Sequence, residues 1–338
     1  MNRNFVPQAQ APATRRAGSL AWLLACLLSS GCASMATPAS STCSSADPEL
    51  AQQQAQAHAP HCQARWAQRL AQMSQPTPPA LLLLGEQHDA AAHQQWQAQT
   101  VQWLAQRQQL AALVLEMAEA GHSTQGLAAT ANEAQVRQAL GWQEELWPWE
   151  RYRAVVMAAV RAAVPVFGGN LPRQHMLQAQ RNPDFDTHLS PAAWQRQQTA
   201  VREGHCNLLP ERLLVPMARI QLARDQSLAL SALQALQPAR TVVLVAGFAH
   251  VQRQLGIPTW LPPNLEAKVA IAQAGQAQAA IEKEADELYL TPALPAHDAC
   301  AELRQQWQAP PAGAGAAMPA ADAAAPNAAA PVHAPAAQ

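Results

Sequence analysis

The sequence predicts an α/β fold: a mainly parallel central sheet flanked by helices, with a smaller helical insertion or lid. Three observations carry this. Four short apolar runs, Ala80–Leu84 (ALLLL), Leu113–Leu115 with its flanks (LVLEM), Val164–Phe167 (VPVF) and Thr241–Ala246 (TVVLVA), have the length and continuity of strands buried on both faces. The segments between them read as helices of the kind that parallel strands need as crossovers; in Ala90–Arg107, His93, Trp96, Thr100, Val101 and Leu104 share one helical spacing. The stretch from about 174 to 236 carries no strong strand signal and is long enough for several helices, so it reads as the insertion.

With 338 residues there is ample chain for a buried core. A formal net charge of −1 lacks the basic face that phosphates require, so no nucleic-acid partner is expected.

The ends read differently from the middle. Arg15 and Arg16 precede the apolar run Leu20–Leu28 (LAWLLACLL), which suits a signal peptide and is too short for a mature membrane span. Ser29, Ser30 and Gly31 then lead to Cys32, an arrangement like a lipobox with its leucine displaced to Leu28. Residues 1–31 therefore read as a lipoprotein signal peptide and Cys32 as the lipidated N-terminus, with plain secretion as the alternative. Ala33, rather than an aspartate, points to the outer membrane, facing the periplasm. Residues 32–78 read as a tether with a helix around Pro48–Met73, and 79–307 as the folded domain. Residues 308–338, almost all Ala, Pro and Gly, bury too little to offset their ordering entropy and are expected to be disordered.

Of 6 cysteines, Cys26 leaves with the leader and Cys32 takes the lipid, so an even four remain for an oxidising compartment. The expected disulfides are Cys43–Cys62, a local pair, and Cys206–Cys300.

Polar residues follow each apolar run at once: Glu86 and His88, then Glu116, then Asn170 and Arg173, then His250. In a parallel sheet these ends share one edge, where ligands bind in open α/β folds. Glu86, His88, Glu116 and His250 are thus candidates for a divalent metal such as zinc or manganese, or for acid–base catalysis. Each taken alone serves equally well as a helix cap or loop partner. A second feature is the aromatic segment Gly141–Tyr152 (GWQEELWPWERY), which reads as core or as a lid over a pocket. Its sharper reading is a wall for a flat apolar ligand, with Tyr152 as an iron ligand. His122, His175, His188 and His205 are scattered, and His58 and His61 read as solvated.

The segments LLLLGEQHDAAAH, LVLEMAE, LGWQEELWPWERYRAVVMAA, VPVFGGNLPR, REGHC, ARIQLARDQSLA and VAGFAHVQRQLGIPTWL, in that order, resemble the ChaN-like haem-binding lipoproteins of the Tiki superfamily. The resemblance covers about residues 79–305 and implies an envelope lipoprotein that binds haem and takes part in haem or iron uptake. It also implies a homodimer that sandwiches two haems, an outer-membrane haem receptor as partner, and a tyrosine on iron, for which Tyr152 in WERY matches. Asn170, Arg173 and His250 are the expected accompanying contacts. Related branches are hydrolases using residues that match Glu86, His88, Glu116 and His250, so a metal-dependent hydrolase is the alternative, and a scaffold that kept the site without chemistry is a third reading. The last loop reads GFAH where the family commonly has a GNGH-like sequence. The cysteine segments match the family's pair and support Cys206–Cys300.

Overall fold

The structure, a computed structural model, describes residues 63–308. The expected leader, Cys32, the expected Cys43–Cys62 pair and the chain beyond 308 lie outside the described residues. Six strands form one sheet: β1 (Leu81–Glu86), β2 (Leu110–Glu119), β3 (Val166–Asn170), β4 (Thr241–Gly247), β5 (Ala267–Ala274) and β6 (Glu287–Thr291). Their order is β3-β2-β4-β1-β5-β6 and every pairing is parallel. The α/β expectation holds. Four of these strands contain the apolar runs; β5 and β6 escaped the sequence reading.

The continuous apolar runs are explained by cover on both faces. Leu82, Leu84, Leu113, Leu115, Val243 and Val245 turn to one face. There they pack against α1 (helical over 63–73), α2 (Ala91–Gln106) and α4 (Trp149–Arg161), while the short α3 (Glu133–Ala139) adds Val136. Leu81, Leu83, Val242 and Leu244 turn to the other. This face is covered by Leu228, Ala229 and Ala232 of α7 (Glu211–Gln234), and by Val251 of α8 (Phe248–Val251) and Ile281 of α9 (Ala279–Glu282). Gly85 lets α8 come this close: a Cβ there would lie 2.5 Å from Val251 Cγ2 and 3.0 Å from Phe248 Cα.

Topology then sets where a ligand edge forms. The connections β1→β2 and β2→β3 run over the α2/α4 face in one direction along the sheet. The later connections run back over the opposite face. Crossovers of constant hand require this change of face when direction reverses. The reversal falls between neighbours β1 and β4, where Glu86 stands in register with Gly247.

The region read as a helical insertion holds α5 (Met176–Arg181), α6 (Pro191–Gly204) and α7. It is not all lid, because the end of α7 is a crossover packed on the sheet. Two small clusters, around Phe185, Leu189 and Leu222 and around Val201, Leu214 and Ile220, hold the rest. Cys206 and Cys300 form the expected disulfide, with a Cα–Cα distance of 5.5 Å, tying the end of α6 to α10 (Ala299–Gln308).

The tether boundary needs correction. Trp66 and Leu70 of α1 are buried, so ordered structure reaches back to residue 63, not 79. Trp66 Nε1 donates to Thr100 Oγ1 at 2.7 Å, and its ring packs edge-on to Trp96, which stacks on Tyr289 of β6.

Candidate functional site

Glu86, the last residue of β1, is 0% exposed and fully engaged. Its Oε1 accepts from Tyr152 Oη at 2.7 Å and lies 2.7 Å from His88 Nδ1. Its Oε2 accepts from the amides of Gln94 at 2.8 Å and Gln97 at 2.7 Å, which face it from α2. His88 Nε2 is 3.8 Å from Glu116 Oε2. Glu116, on β2, accepts the Gly247 N–H at 2.7 Å and lies 3.4 Å from His250 Nε2. His250 Nδ1 is 2.6 Å from Asp225 of α7. Gly247 permits this assembly: a Cβ there would stand 2.8 Å from His88 Nε2.

The four strand-end residues therefore do converge, in a chain of alternating carboxylates and imidazoles: Glu86, His88, Glu116, His250, Asp225. Burial opposes charge on His88, Glu116, His250 and Asp225, but the pairs outweigh it for the first three. His88 is held above its ordinary value by Glu86 and Glu116 despite burial. His250 is lifted to about 10 by Glu116 and Asp225, again against burial. Burial would raise Glu116, yet His250 and His88 hold it well below the usual carboxylate range. In Asp225 burial wins and pushes the carboxyl up, in spite of His250. The arrangement can store protons and hold imidazolium–carboxylate pairs away from water.

Asp225 and Arg224 were not found from the sequence. Their signal is an adjacent charged pair inside the largely apolar helix α7, between Leu222 and Leu228. Burial lowers Arg224 while Glu116 and Asp225 raise it, and its Nε has no hydrogen-bond partner. Gln94 and Gln97 were also missed; they sit three apart on α2 among apolar neighbours. His93, placed on the inner face of this helix, is indeed buried. It accepts the Gln87 N–H and meets Thr291 Oγ1 at 3.0 Å, and burial lowers it to about 3, so it is a neutral core histidine.

Asn170 is near the site but braces it: its amide donates to the Glu116 carbonyl at 2.9 Å. Arg151 donates to the His88 carbonyl, and Arg153 is paired with Glu133 and Glu150. Arg173 is exposed, outside the cluster. The aromatic segment packs as core: Trp147, Trp149 and Tyr152 are buried, Trp147 meets the rings of both His88 and Tyr152, and Trp142 meets Trp149 and Tyr152.

As a metal centre the set does not fit. Glu86 and His88 spend their inward atoms on each other, and among the described residues no group of three His, Cys, Asp or Glu is arranged to hold an ion. Metal ligands must instead aim lone pairs at a common point about 2.0–2.2 Å away.

Residues 70–261 match the family described as haem-binding uptake, Tiki superfamily, ChaN. The chain belongs to this ChaN family. The match spans the sheet's first four strands, the aromatic segment and the whole polar cluster. A solved structure of cofacial haem binding to ChaN of Campylobacter jejuni is similar to the chain, with 20% identity and a TM-score of 0.51, covering 62% of this chain and 86% of that one. At that identity the likeness shows the fold. No curated protein matches.

Proposed function

We propose that this ChaN-family chain binds haem in the cell envelope and takes part in haem or iron uptake, as a lipoprotein anchored through Cys32 in the outer membrane. The observation that carries the reading is the family match over residues 70–261. The leader-like run before Cys32 supports the location, and an apolar ligand as large as haem suits a homodimer that shields both its faces. A haem receptor in the outer membrane is the partner this role calls for.

Tyr152 does not fit as the iron ligand: it is 0% exposed, its hydroxyl is spent on Glu86, and burial and Glu86 push the phenol far above its ordinary value. His250 and Asn170 are likewise engaged inside the protein. The Glu86–His88–Glu116–His250–Asp225 chain ties β1, β2, α7 and α8 together, with Tyr152 of α4 and Gly247 of β4 bonded to it.

Haemin titration of the purified chain, followed by absorbance beside elemental analysis, tests the proposal. A saturable Soret change without stoichiometric zinc or manganese is expected. A tightly held divalent metal and no saturable haem signal would overturn it.

A further inference from the structure

One charged side chain beside the polar cluster is left unanswered. Arg224 makes no hydrogen bond or ion pair among the described residues, and its Nε is covered from solvent. Among the buried side-chain atoms without a partner, it is the one that belongs to a cation. The nearby acids are spent elsewhere, Glu116 on the Gly247 N–H and His250, Asp225 on His250. Burial outweighs their pull and holds the guanidinium below its ordinary value. A buried charge is costly unless something answers it. A single water would satisfy the N–H and leave most of the charge unanswered, whereas an anion answers both.

The fold puts this group at the ligand edge. Leu228, one turn further along α7, lies against β3: a Cβ on Gly169 would stand 2.8 Å from Leu228 Cδ2. A crossover helix runs opposite to the strands it joins. Arg224, one pitch of about 5.4 Å back along α7, therefore lies over the residues that end β3. Asn170 is the last of them, and its Oδ1 is also buried without a partner. Its Nδ2 is held by the Glu116 carbonyl, which fixes the free end of the amide as the acceptor. Arg224 and Asn170 both keep part of their surface in solvent, so a small solute can reach them. This is the carboxyl edge of the sheet, where ligands enter open α/β folds.

The charges select the ligand. The carboxylates of Glu116 and Asp225 repel a dianion such as phosphate, so one guanidinium favours a monoanion. Its planar fork matches a carboxylate. Asn170 Oδ1 calls for a donor next to that carboxylate, as the hydroxyl of a 2-hydroxy acid supplies. We infer that Arg224 and Asn170 hold a small 2-hydroxy carboxylate at the end of β3.

The test is calorimetric titration of the purified full chain with glycolate, acetate and phosphate in a chloride buffer. It is repeated on Arg224→Gln and Asn170→Ala, each checked for folding by circular dichroism and urea midpoint. Expected are saturable glycolate binding, weaker acetate binding, a loss of about tenfold or more in Arg224→Gln, and near-equal glycolate and acetate binding in Asn170→Ala. In wild type the Arg224 Nε–H proton resonance should move with glycolate, a readout that needs no variant to fold. No saturable binding, with that resonance unmoved, leaves ordered water only and overturns the inference. So does phosphate binding tighter than glycolate, or glycolate binding unchanged in Arg224→Gln. No haemin enters the experiment, so each of these outcomes leaves the haem reading where it stands.

Discussion

His250 shows how a single residue couples charge to folding. Its imidazolium is stabilised between Glu116 and Asp225, so its folded value of about 10 lies above the ordinary 6.5. The stability this contributes is complete below the ordinary value and is lost as pH rises through about 10. Glu116 acts in the opposite sense: its depressed carboxyl contributes above the ordinary 4.5 and loses the contribution as pH falls. Urea midpoints are therefore expected to fall at both ends of the pH range. In Asp225→Asn one of the two supporting carboxylates is gone, and the alkaline fall should move to lower pH, with the His250 ring resonances titrating earlier. An alkaline limb that does not move would show that Asp225 does not hold the charge. Tyr152→Phe removes one of the donors to a buried carboxylate, and a loss of about 1–3 kcal/mol in urea denaturation is expected, with the fold retained.

At the scale of elements, α1 and α10 are each held to the domain by an identifiable anchor. Trp66 anchors α1 through Thr100, Trp96 and Tyr289, and truncating it to alanine should cost about 3–5 kcal/mol of unfolding free energy. A truncation beginning at residue 79 should lose the same anchor; equal stability with and without 63–78 would return that segment to the status of a tether. The Cys206–Cys300 bond closes a loop between residues 94 apart, so reduction is expected to cost about 4–5 kcal/mol through the unfolded chain's entropy. Hydrogen exchange should show α10 loosening first on reduction. The elements also show where sequence patterns stop being legible. β1 and β4 announce themselves as unbroken aliphatic runs because helices cover both faces. β5 reads AKVAIAQA and β6 reads ELYLT, one mixing alanine with lysine and glutamine, the other a half-buried edge strand, so neither offers a continuous apolar signal.

For the whole molecule, the haem reading entails an association that can be measured. Sedimentation with and without haemin should show a monomer–dimer shift on loading, and fractionation should place the chain in the outer membrane; recovery from the inner membrane would contradict the sorting expected from Ala33. From the sequence alone came the layered α/β architecture, the family, and the arrival of Glu86, His88, Glu116 and His250 at one edge, because strand hydrophobicity and the residues directly after each strand are local properties of the chain. Tertiary structure alone decided which partners those groups take. Tyr152 reaches Glu86 across 66 residues and turns inward, and Asp225 reaches His250 from a helix on the opposite face of the sheet from α2 and α4. Pairing and burial depend on how distant elements pack, and it is this packing that takes Tyr152 out of reach of a surface ligand.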